Sequence, residues 1–419
     1  MLLGFAIVSR FRIPFNFAVS FSLLHLFLRR RRSAHSRPLR IALLAHGGTQ
    51  WMGGELYVRN LFMALLRYRE KSSSGQVYEL IVFTSDPPAL LDRHPAFLGA
   101  DDVVACPRMN DGPLGRLTLI PLLLLSRIDF AYPCYSPLPP WPGLHGSGWM
   151  VDFQFEHYPS LFSQRELRRR RLSAAFVART MAHVVFSSRD ALADFRHFFP
   201  RSRAQTHVLH FHSFPDPSLW TGDPDAIRVR YGLPSRFLIC CGQFWAHKNH
   251  LVLLQALAAS LKEEPQIFLV FTGHPVDLRN PSHLDTLLSH LHLLGLRSAT
   301  ALLGLIPRDD QLQLIRRAVA VVQPSLFEGW STVVEDARAL GKPIVLSDIP
   351  VHLEQKVARA HVFSATSADA LRQCLLETWR SYGPGPDVSY EEEARSQTNL
   401  LCVQMAEDFL GLMADSIRS

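Results

Sequence analysis

The segment from Gln323 to Asp348 holds the residues with the clearest chemical potential in the chain. The apolar run 318–322 predicts a buried strand, the loop 324–331 follows it, and a helix is predicted over 332–340. A helix start presents unpaired backbone N–H groups and a positive dipole end, which suits a diphosphate. Neighbouring carboxylates repel phosphate and are better suited to accept hydrogen bonds from sugar or ribose hydroxyls. The segment therefore predicts a nucleotide-sugar site.

The residues expected to contact this ligand share one loop and the first turns of the helix. They are Glu328, Gly329, Trp330, Ser331, Thr332, Glu335 and Asp336. An alternative is an ordinary strand, loop and helix in which the last two carboxylates only favour the first helical turn.

Two glycine-containing loops follow the first strand of each half of the chain. The loop 47–54 ends in Gly53 and Gly54, and 242–250 contains Gly242, Gln243 and Lys248. Glycines allow backbone N–H groups to approach an anion closely, and a lysine at the mouth can neutralise a diphosphate. Both loops also fit simple turns. Neither is Gly-x-Gly-x-x-Gly, which disfavours a nicotinamide cofactor.

A polar cluster is expected at the carboxyl end of another strand, in the run from Asp152 to Pro159. Asp152 and His157 could contact a sugar or move a proton, although His157 also fits an ordinary loop histidine. No metal site is predicted, because the histidines of 207–212 lack a nearby carboxylate or cysteine in the sequence. The chain has no P-loop, no His-Glu-x-x-His helix and no Ser-His-Asp spacing, which disfavours the corresponding hydrolases.

Composition excludes a disordered or fibrous protein, since 47% of 419 residues are hydrophobic. Of 44 Lys and Arg residues, eight arginines fall within 1–40, which leaves 36 basic against 37 acidic residues in the rest. The folded body is therefore close to neutral, and nucleic acid is not an expected partner. Six scattered cysteines without Cys-x-x-Cys spacing indicate reduced thiols, so a cytoplasmic location is expected.

The apolar and basic leader, residues 1–37, has three interpretations. Its apolar run 13–28 is interrupted by Pro14 and Asn16 and is shorter than the roughly 20 residues that span a bilayer. It fits added sequence from an upstream start codon, a segment that contacts the inner face of a membrane through its arginines, or a signal whose charges stand on the wrong side.

Short apolar strands alternate with helices from Leu39 onward, which predicts α/β domains with parallel sheets covered on both faces. We expect two doubly wound, Rossmann-like domains facing across a cleft. The predicted boundaries are 38–215 for the first domain, 216–231 for a proline-rich linker, 232–389 for the second domain, and 390–419 for a helical tail that packs back. The apolar run 117–125 is expected to form a core helix or a surface for a lipid acceptor.

The sequence resembles the retaining glycosyltransferases of family 4, especially over Gly242 to Asn249 and Pro324 to Pro343. Bacterial members with Asp-Phe-Gln ahead of Pro-x-x-Phe are matched by residues 152–154 and 159–162. The family pattern of two glutamates separated by seven residues is represented by Glu328 and Asp336. Where many members have arginine and histidine, this chain has Gln243 and Val151.

The resemblance implies a GT-B fold and a metal-independent enzyme without a cofactor. It would move a hexosyl unit, with retention, from a nucleoside diphosphate sugar to a saccharide or lipid-linked acceptor. It implies Glu328 at the donor sugar, Asp336 (less favoured, Glu335) at the ribose, Lys248 at the diphosphate, and Gly53 and Gly54 near the phosphate and acceptor. Two alternatives remain: a catalytically silent GT-B protein that binds nucleotide or glycan, and a nucleotide-sugar epimerase.

Overall fold

The computed structural model describes residues 37–46, 52–71, 78–109, 112–139, 141–277 and 279–418. The predictions for most of the leader and for 47–51 of the first glycine loop lie outside these residues. Within them, two parallel sheets are present, one of seven strands and one of six. The predicted α/β architecture with two doubly wound domains is confirmed.

The first sheet has the order β3-β2-β1-β4-β5-β6-β7. Its strands are β1 Leu39–Leu44, β2 Tyr78–Thr84, β3 Asp102–Ala105, β4 Phe130–Cys134, β5 His145–Met150, β6 His183–Phe186 and β7 Gln205–Val208. The second sheet has the order β10-β9-β8-β11-β12-β13. Its strands are β8 Leu238–Cys241, β9 Leu269–Thr272, β10 Thr300–Gly304, β11 Val321–Gln323, β12 Ile344–Ser347 and β13 Ala360–Phe363.

Helices cover both faces of each sheet. In the first half they are α1 Met52–Lys71, α2 Pro87–Arg93, α3 Pro113–Leu125, α4 Gln154–His157, α5 Gln164–Thr180 and α6 Arg189–Phe198. In the second half they are α7 Pro224–Arg230, α8 His250–Ser260, α9 His283–Leu293, α10 Arg308–Arg317, α11 Thr332–Ala339, α12 Pro350–Gln355, α13 Ala368–Ser381 and α14 Val388–Arg418.

Strand order reverses between β1 and β4 in the first sheet and between β8 and β11 in the second. Loops that leave the carboxyl ends of strands at such a point diverge and open a crevice, which is where α/β sheets bind ligands. The predicted loops 47–54, 242–250 and 324–331 follow β1, β8 and β11 respectively. Topology thus brings Gly53 and the loops 242–250 and 324–331 to the two facing crevices.

Residues 216–231, the predicted linker, pack against the second domain. The backbone carbonyl of Leu219 accepts a hydrogen bond from Nη1 of Arg316 at 2.9 Å. The Tyr231 hydroxyl donates to Asp310 at 2.7 Å. Leu219 and Leu233 also belong to the apolar core beneath β8. Pro217 and Pro224 each stand at the start of a short helical segment here.

The C-terminal helix α14 packs back on the first domain, as the sequence predicts for the tail. Met405, Ala406 and Phe409 are buried in the same apolar cluster as Tyr57 of α1. The Phe409 ring lies 5.3 Å from the Tyr132 ring of β4. The first-domain core is therefore completed by residues more than 260 positions further along the chain.

The apolar run 117–125 lies in α3, which buries Leu119, Leu123 and Leu124 and exposes Leu117 by 72%. The helix thus has a core face, as expected, and an apolar solvent face. In the described part of the chain, no helix combines the length and the apolar content that crossing a bilayer requires.

We expect Phe409→Ala to lower the free energy of unfolding by about 3–5 kcal/mol, because it removes a fully buried aromatic ring from the shared core. The measurement is a urea titration followed by circular dichroism. Leu400→Ala on the same helix is the control, since Leu400 is 73% exposed and its loss should change stability by less than about 0.5 kcal/mol. Equal effects of the two substitutions would contradict the packing described for α14.

Candidate active site

A cavity of 240 Å³ lies in the cleft at the carboxyl ends of both sheets. Most of the residues that the sequence singled out line it. They are Gly53, Asp152, Gly242, Gln243, Lys248, Glu328, Gly329, Trp330, Ser331, Thr332 and Asp336. Three others, Gly54, His157 and Glu335, do not line it. Both domains contribute to the wall, so the cavity depends on how they meet.

Lys248 and Glu328 form an ion pair in this wall, with Nζ 2.6 Å from Oε1. Two further donors reach the same oxygen, Nε2 of Gln323 at 2.9 Å and the Ser325 hydroxyl at 2.6 Å. Burial alone would raise the pKa of Glu328, but the charge and hydrogen bond of Lys248, together with His247 and His352, lower the pKa to about 2. The carboxylate is therefore ionised at neutral pH, and Oε2 accepts no hydrogen bond from a described residue.

The two loops that carry this pair are tied together through their backbones. Leu326 N–H donates to the carbonyl of His247 at 2.8 Å. Nδ2 of Asn249 donates to the carbonyls of Pro324 and Ala365, at 3.0 and 2.8 Å. Asn249 has φ of 59°, a left-handed conformation that asparagine tolerates better than most residues. These contacts hold Lys248 at the position from which it reaches Glu328.

Two glycines allow the loop after β8 to pack tightly. A side chain at Gly273 would place its Cβ 1.9 Å from the carbonyl oxygen of Gly242. Both residues have positive φ, 143° for Gly273 and 152° for Gly242, which also favours glycine. The floor of the cavity is thus formed by backbone that cannot carry side chains.

At Gly329 the second domain packs against the first with no room for a side chain. A Cβ there would lie 2.6 Å from the carbonyl oxygen of Val151 and 3.1 Å from Cβ of Asp152. The absence of a side chain thereby places the loop of Glu328 against the polar run that begins at Asp152. Two segments separated by about 170 residues become one site.

Asp152 lines the cavity, and its Oδ1 accepts a hydrogen bond from the backbone N–H of Gln154 at 2.9 Å. Burial raises the pKa of Asp152, and the negative charge of Glu328 raises it further. The hydrogen bond from Gln154 lowers the pKa but does not outweigh these effects. Asp152 is thus the more easily protonated of the two facing carboxyl groups, while Glu328 stays ionised.

Asp336 is fully buried, with two donors on one of its oxygens. The Ser213 hydroxyl donates to Oδ1 at 2.6 Å, and the Arg308 guanidinium contacts the same oxygen. Oδ2 has no partner among the described residues, although it is buried in the cavity wall. An unpaired buried carboxylate oxygen is costly, which is typical of a position that a ligand hydroxyl completes.

Glu335 does not line the cavity, unlike its neighbour Asp336. Its Oε2 lies 2.7 Å from Nδ1 of His212, and its Oε1 accepts from Nε2 of Gln355 at 2.8 Å. The contact with His212 crosses between the domains. The carboxylate that His212 lacks in the nearby sequence is thus supplied from 123 positions away, as a hydrogen-bond partner.

His157 lies outside the cavity. Its Nε2 is 2.7 Å from Oδ2 of Asp194, and its ring lies 5.4 Å from the ring of Phe327. The residue therefore supports the loop of Glu328 from behind. The polar run 152–159 divides into Asp152, which faces the cleft, and His157, which faces α6.

The first turn of α11 opens on the cavity, as expected from the sequence. Ser331, Thr332 and Val333 all contribute to the wall, and their N–H groups precede the helical hydrogen-bond ladder. The Ser331 hydroxyl is buried and has no partner among the described residues. It does not cap the helix, so the N–H groups of the first turn and the hydroxyl are both left with unused hydrogen-bonding capacity.

Arg308 is a cavity residue that the sequence did not reveal. It is the first residue of α10, directly after the loop that follows β10, and lines the same cavity as Gln243. Ligand sites lie at the carboxyl ends of strands, and β10 is such a strand. A search after β10 would therefore have identified Arg308. Arg308 also supplies a positive charge in a cavity where Gln243 has none.

Comparison with known proteins relates the second half of the chain to an enzyme family. Residues 225–377 match the model of the glycosyl transferases group 1. Over 124 residues the chain is 28% identical to glycosyltransferase 1 domain-containing protein 1 of Xenopus tropicalis, covering 30% of this chain and 34% of that protein. Over 118 residues it is 31% identical to the GDP-mannose:cellobiosyl-diphosphopolyprenol alpha-mannosyltransferase of Xanthomonas oryzae pv. oryzae, covering 28% and 30%.

The whole fold is similar to that of solved GT-B structures. The crystal structure of Anabaena Alr3699/HepE in complex with UDP and glucose superposes with a TM-score of 0.64 at 17% identity, covering 90% of this chain and all of that one. The chain has the GT-B fold. Its sequence similarity to curated relatives spans about a third of their length.

Ionised Glu328 should contribute to the free energy of unfolding, and this contribution should decrease as the pH falls. Its folded pKa of about 2 lies below its usual value of 4.5, so the stabilisation by the ionised form is complete above about pH 4.5 and is lost as the pH falls toward 2. Glu328→Gln leaves Lys248 without its buried partner and should lower the free energy of unfolding at neutral pH. In urea titrations, the difference from wild type should be constant between pH 7 and about 5 and shrink at lower pH. A difference that shrinks already above pH 5 would contradict the pairing with Lys248.

Proposed function

We propose that this protein is a retaining glycosyltransferase of family 4. It moves a hexosyl unit from a nucleoside diphosphate sugar to a saccharide or lipid-linked acceptor. The observation that supports this most is the group of Lys248, Glu328 and the first turn of α11 around one cavity. A cation, an ionised carboxylate and free N–H groups match a diphosphate that carries a sugar.

The donor diphosphate would bind between Lys248 and the start of α11. An ammonium group has three donors, and Lys248 uses one on Glu328, which leaves two for phosphate oxygens. Arg308 adds a second cation near the same wall. These charges stabilise the leaving diphosphate without a bound metal ion, so transfer should proceed in the presence of a chelator.

Glu328 would hold the donor sugar through Oε2, while Oε1 stays occupied by its three protein donors. The carboxylate is therefore fixed in position before the sugar arrives, which favours catalysis by orientation. In the retaining reaction proposed here, the departing diphosphate accepts the proton of the attacking hydroxyl, so the cavity needs no strong base of its own. Relatives named as glycosyltransferases, and a neighbour solved with UDP and glucose, support this reaction class.

We place the acceptor on the side of the first domain, where Asp152 faces Glu328 across the cleft. Gly53 lies in the same wall at the start of α1, close to both substrates. We also propose that the enzyme works in the cytoplasm, with the exposed leucines of α3 as a candidate contact with the inner face of a membrane when the acceptor is a lipid.

Glu328→Ala and Lys248→Ala should each lower the transfer rate by about a hundredfold or more, because each removes a charge that stabilises the transition state. Transfer is measured with a labelled nucleotide sugar, after a thermal shift screen has identified the donor that binds. Lys262→Ala is the matched control, since Lys262 is exposed and outside the cavity.

Wild-type turnover in either cavity variant would overturn the proposed function. The products separate the alternatives: a released nucleoside diphosphate and a glycosylated acceptor support transfer, while an altered donor sugar without acceptor indicates an epimerase. Nucleotide binding without turnover of any donor would indicate a catalytically silent protein.

Asp336 and Glu335 can be distinguished by matched amide substitutions. Asp336→Asn should weaken nucleoside diphosphate binding by about tenfold, because Asp336 lines the cavity and its unpaired Oδ2 would accept a ribose hydroxyl. Glu335→Gln should leave that affinity within about twofold and lower the melting temperature, because it breaks the contact with His212. Affinity is measured by calorimetry. The opposite pattern would assign the ribose to Glu335.

A further inference from the structure

A wide groove continues from the donor cavity along the first domain, with a volume of 1170 Å³. The two spaces share wall residues that include Trp149, Asp152, Gln243 and Trp245. A ligand in the groove could therefore reach the donor sugar directly. The groove is bounded by α5 of the first domain and by the loop 274–279 of the second.

Four arginines line this groove, namely Arg165, Arg169, Arg170 and Arg279. The carboxylates in its wall are Asp152, Glu166 and Asp277. Asp152 lies at the junction with the donor cavity. The carboxylates along the groove that can pair with the arginines are therefore Glu166 and Asp277.

Two of the arginines form ion pairs with these carboxylates, which fixes their positions. Arg170 donates from Nε and Nη2 to Oε1 of Glu166, at 3.0 and 2.8 Å. Arg279 forms hydrogen bonds with both oxygens of Asp277, at 3.0 and 3.3 Å. The ring of Phe162 lies between their guanidinium groups, 4.8 and 5.3 Å from them.

Arg279 also connects the domains across the groove. Its Nη1 donates to Oε1 of Gln154 at 3.0 Å, and its guanidinium lies 4.5 Å from the centre of the Trp245 ring. The groove therefore has a rigid inner end, which aromatic rings and paired charges form next to the donor cavity.

Arg165 and Arg169 remain without a balancing charge. Arg165 has no ion pair with a described residue, and Nη2 of Arg169 is 4.0 Å from the Glu166 oxygen that Arg170 already occupies. They are four residues apart on one face of α5, where like charges destabilise a helix. Both lie in its first turns, so the positive end of the helix dipole adds to their field.

We propose that this groove binds an acceptor that carries a phosphate or diphosphate group, with Arg165 and Arg169 as its anion contacts. The inference rests on the proposed function and narrows its acceptor to an anionic class. Trp245 and Trp149 line both spaces at the inner end, where the acceptor sugar meets the donor. The acceptor phosphate stays at the outer end and takes no part in the bond that forms.

The probes are glucose 6-phosphate, its neutral counterpart glucose, and a farnesyl-diphosphate-linked glucose in phosphatidylcholine vesicles. Each is titrated into the full-length protein, with and without a saturating nucleoside diphosphate. We expect at least one phosphorylated probe to bind about tenfold or more tightly than glucose, since charge-assisted hydrogen bonds to arginine are strong. Binding of the soluble probe alone identifies a free sugar phosphate as the class, and binding of the vesicle probe alone identifies a lipid-linked diphosphate.

The test variant is Arg165→Gln with Arg169→Gln, and the matched control is Arg168→Gln with Arg179→Gln. The control removes the same charge from the same helix at exposed positions outside the groove. The test variant should lose about tenfold or more in affinity for the phosphorylated probe, and the control should stay within about twofold. Nucleoside diphosphate binding should be unchanged in both.

Equal losses in the two double variants, or glucose binding as tight as the phosphorylated probes, would overturn the assignment of the groove. Failure of every phosphorylated probe to bind the wild type would do the same. A protein that binds sugar phosphate through Arg165 and Arg169 but binds no nucleoside diphosphate would contradict the proposed function and leave the groove assigned. The groove assignment and the proposed function are thus tested by different measurements.

Discussion

The ion pair of Lys248 and Glu328 organises the centre of this protein. Both partners are largely buried, and a buried charge is tolerated only when its counter-charge and further hydrogen bonds are in place. Gln323, Ser325 and the backbone ties between the two loops meet that requirement. The loops after β8 and β11 therefore have one arrangement in which the charges are satisfied, and that arrangement also opens the cavity.

Two kinds of contact join the domains: a glycine that allows close backbone packing, and side chains that reach across the cleft. Gly329 allows backbone to touch backbone beside Asp152, while Arg279, His212 and Ser213 reach across to the partner domain. Each crossing contact ends on or next to a cavity residue. Closing the cleft and assembling the site are thus the same structural event.

Sequence patterns predicted the central strands because these are continuous apolar runs, and they predicted the cleft loops because glycines and carboxylates follow such strands. They missed β3 and β13, which are edge strands of only four residues, too short for an apolar run or an alternation to stand out. The separation of Asp336 from Glu335, and the place of His157 behind the cleft, depend on partners far away in sequence. The same holds for Arg308 and Ser213, whose proximity to Asp336 only the folded chain creates.

The return of α14 to the first domain means that the chain passes between the domains twice. One passage runs from Phe214 into the residues that pack on β8, and the other lies near Gly341, where a Cβ would stand 2.5 Å from the carbonyl oxygen of Tyr390. A single connection would leave two rigid bodies free to twist. Two connections resist such a twist, so they help to keep the facing residues of the two domains in register.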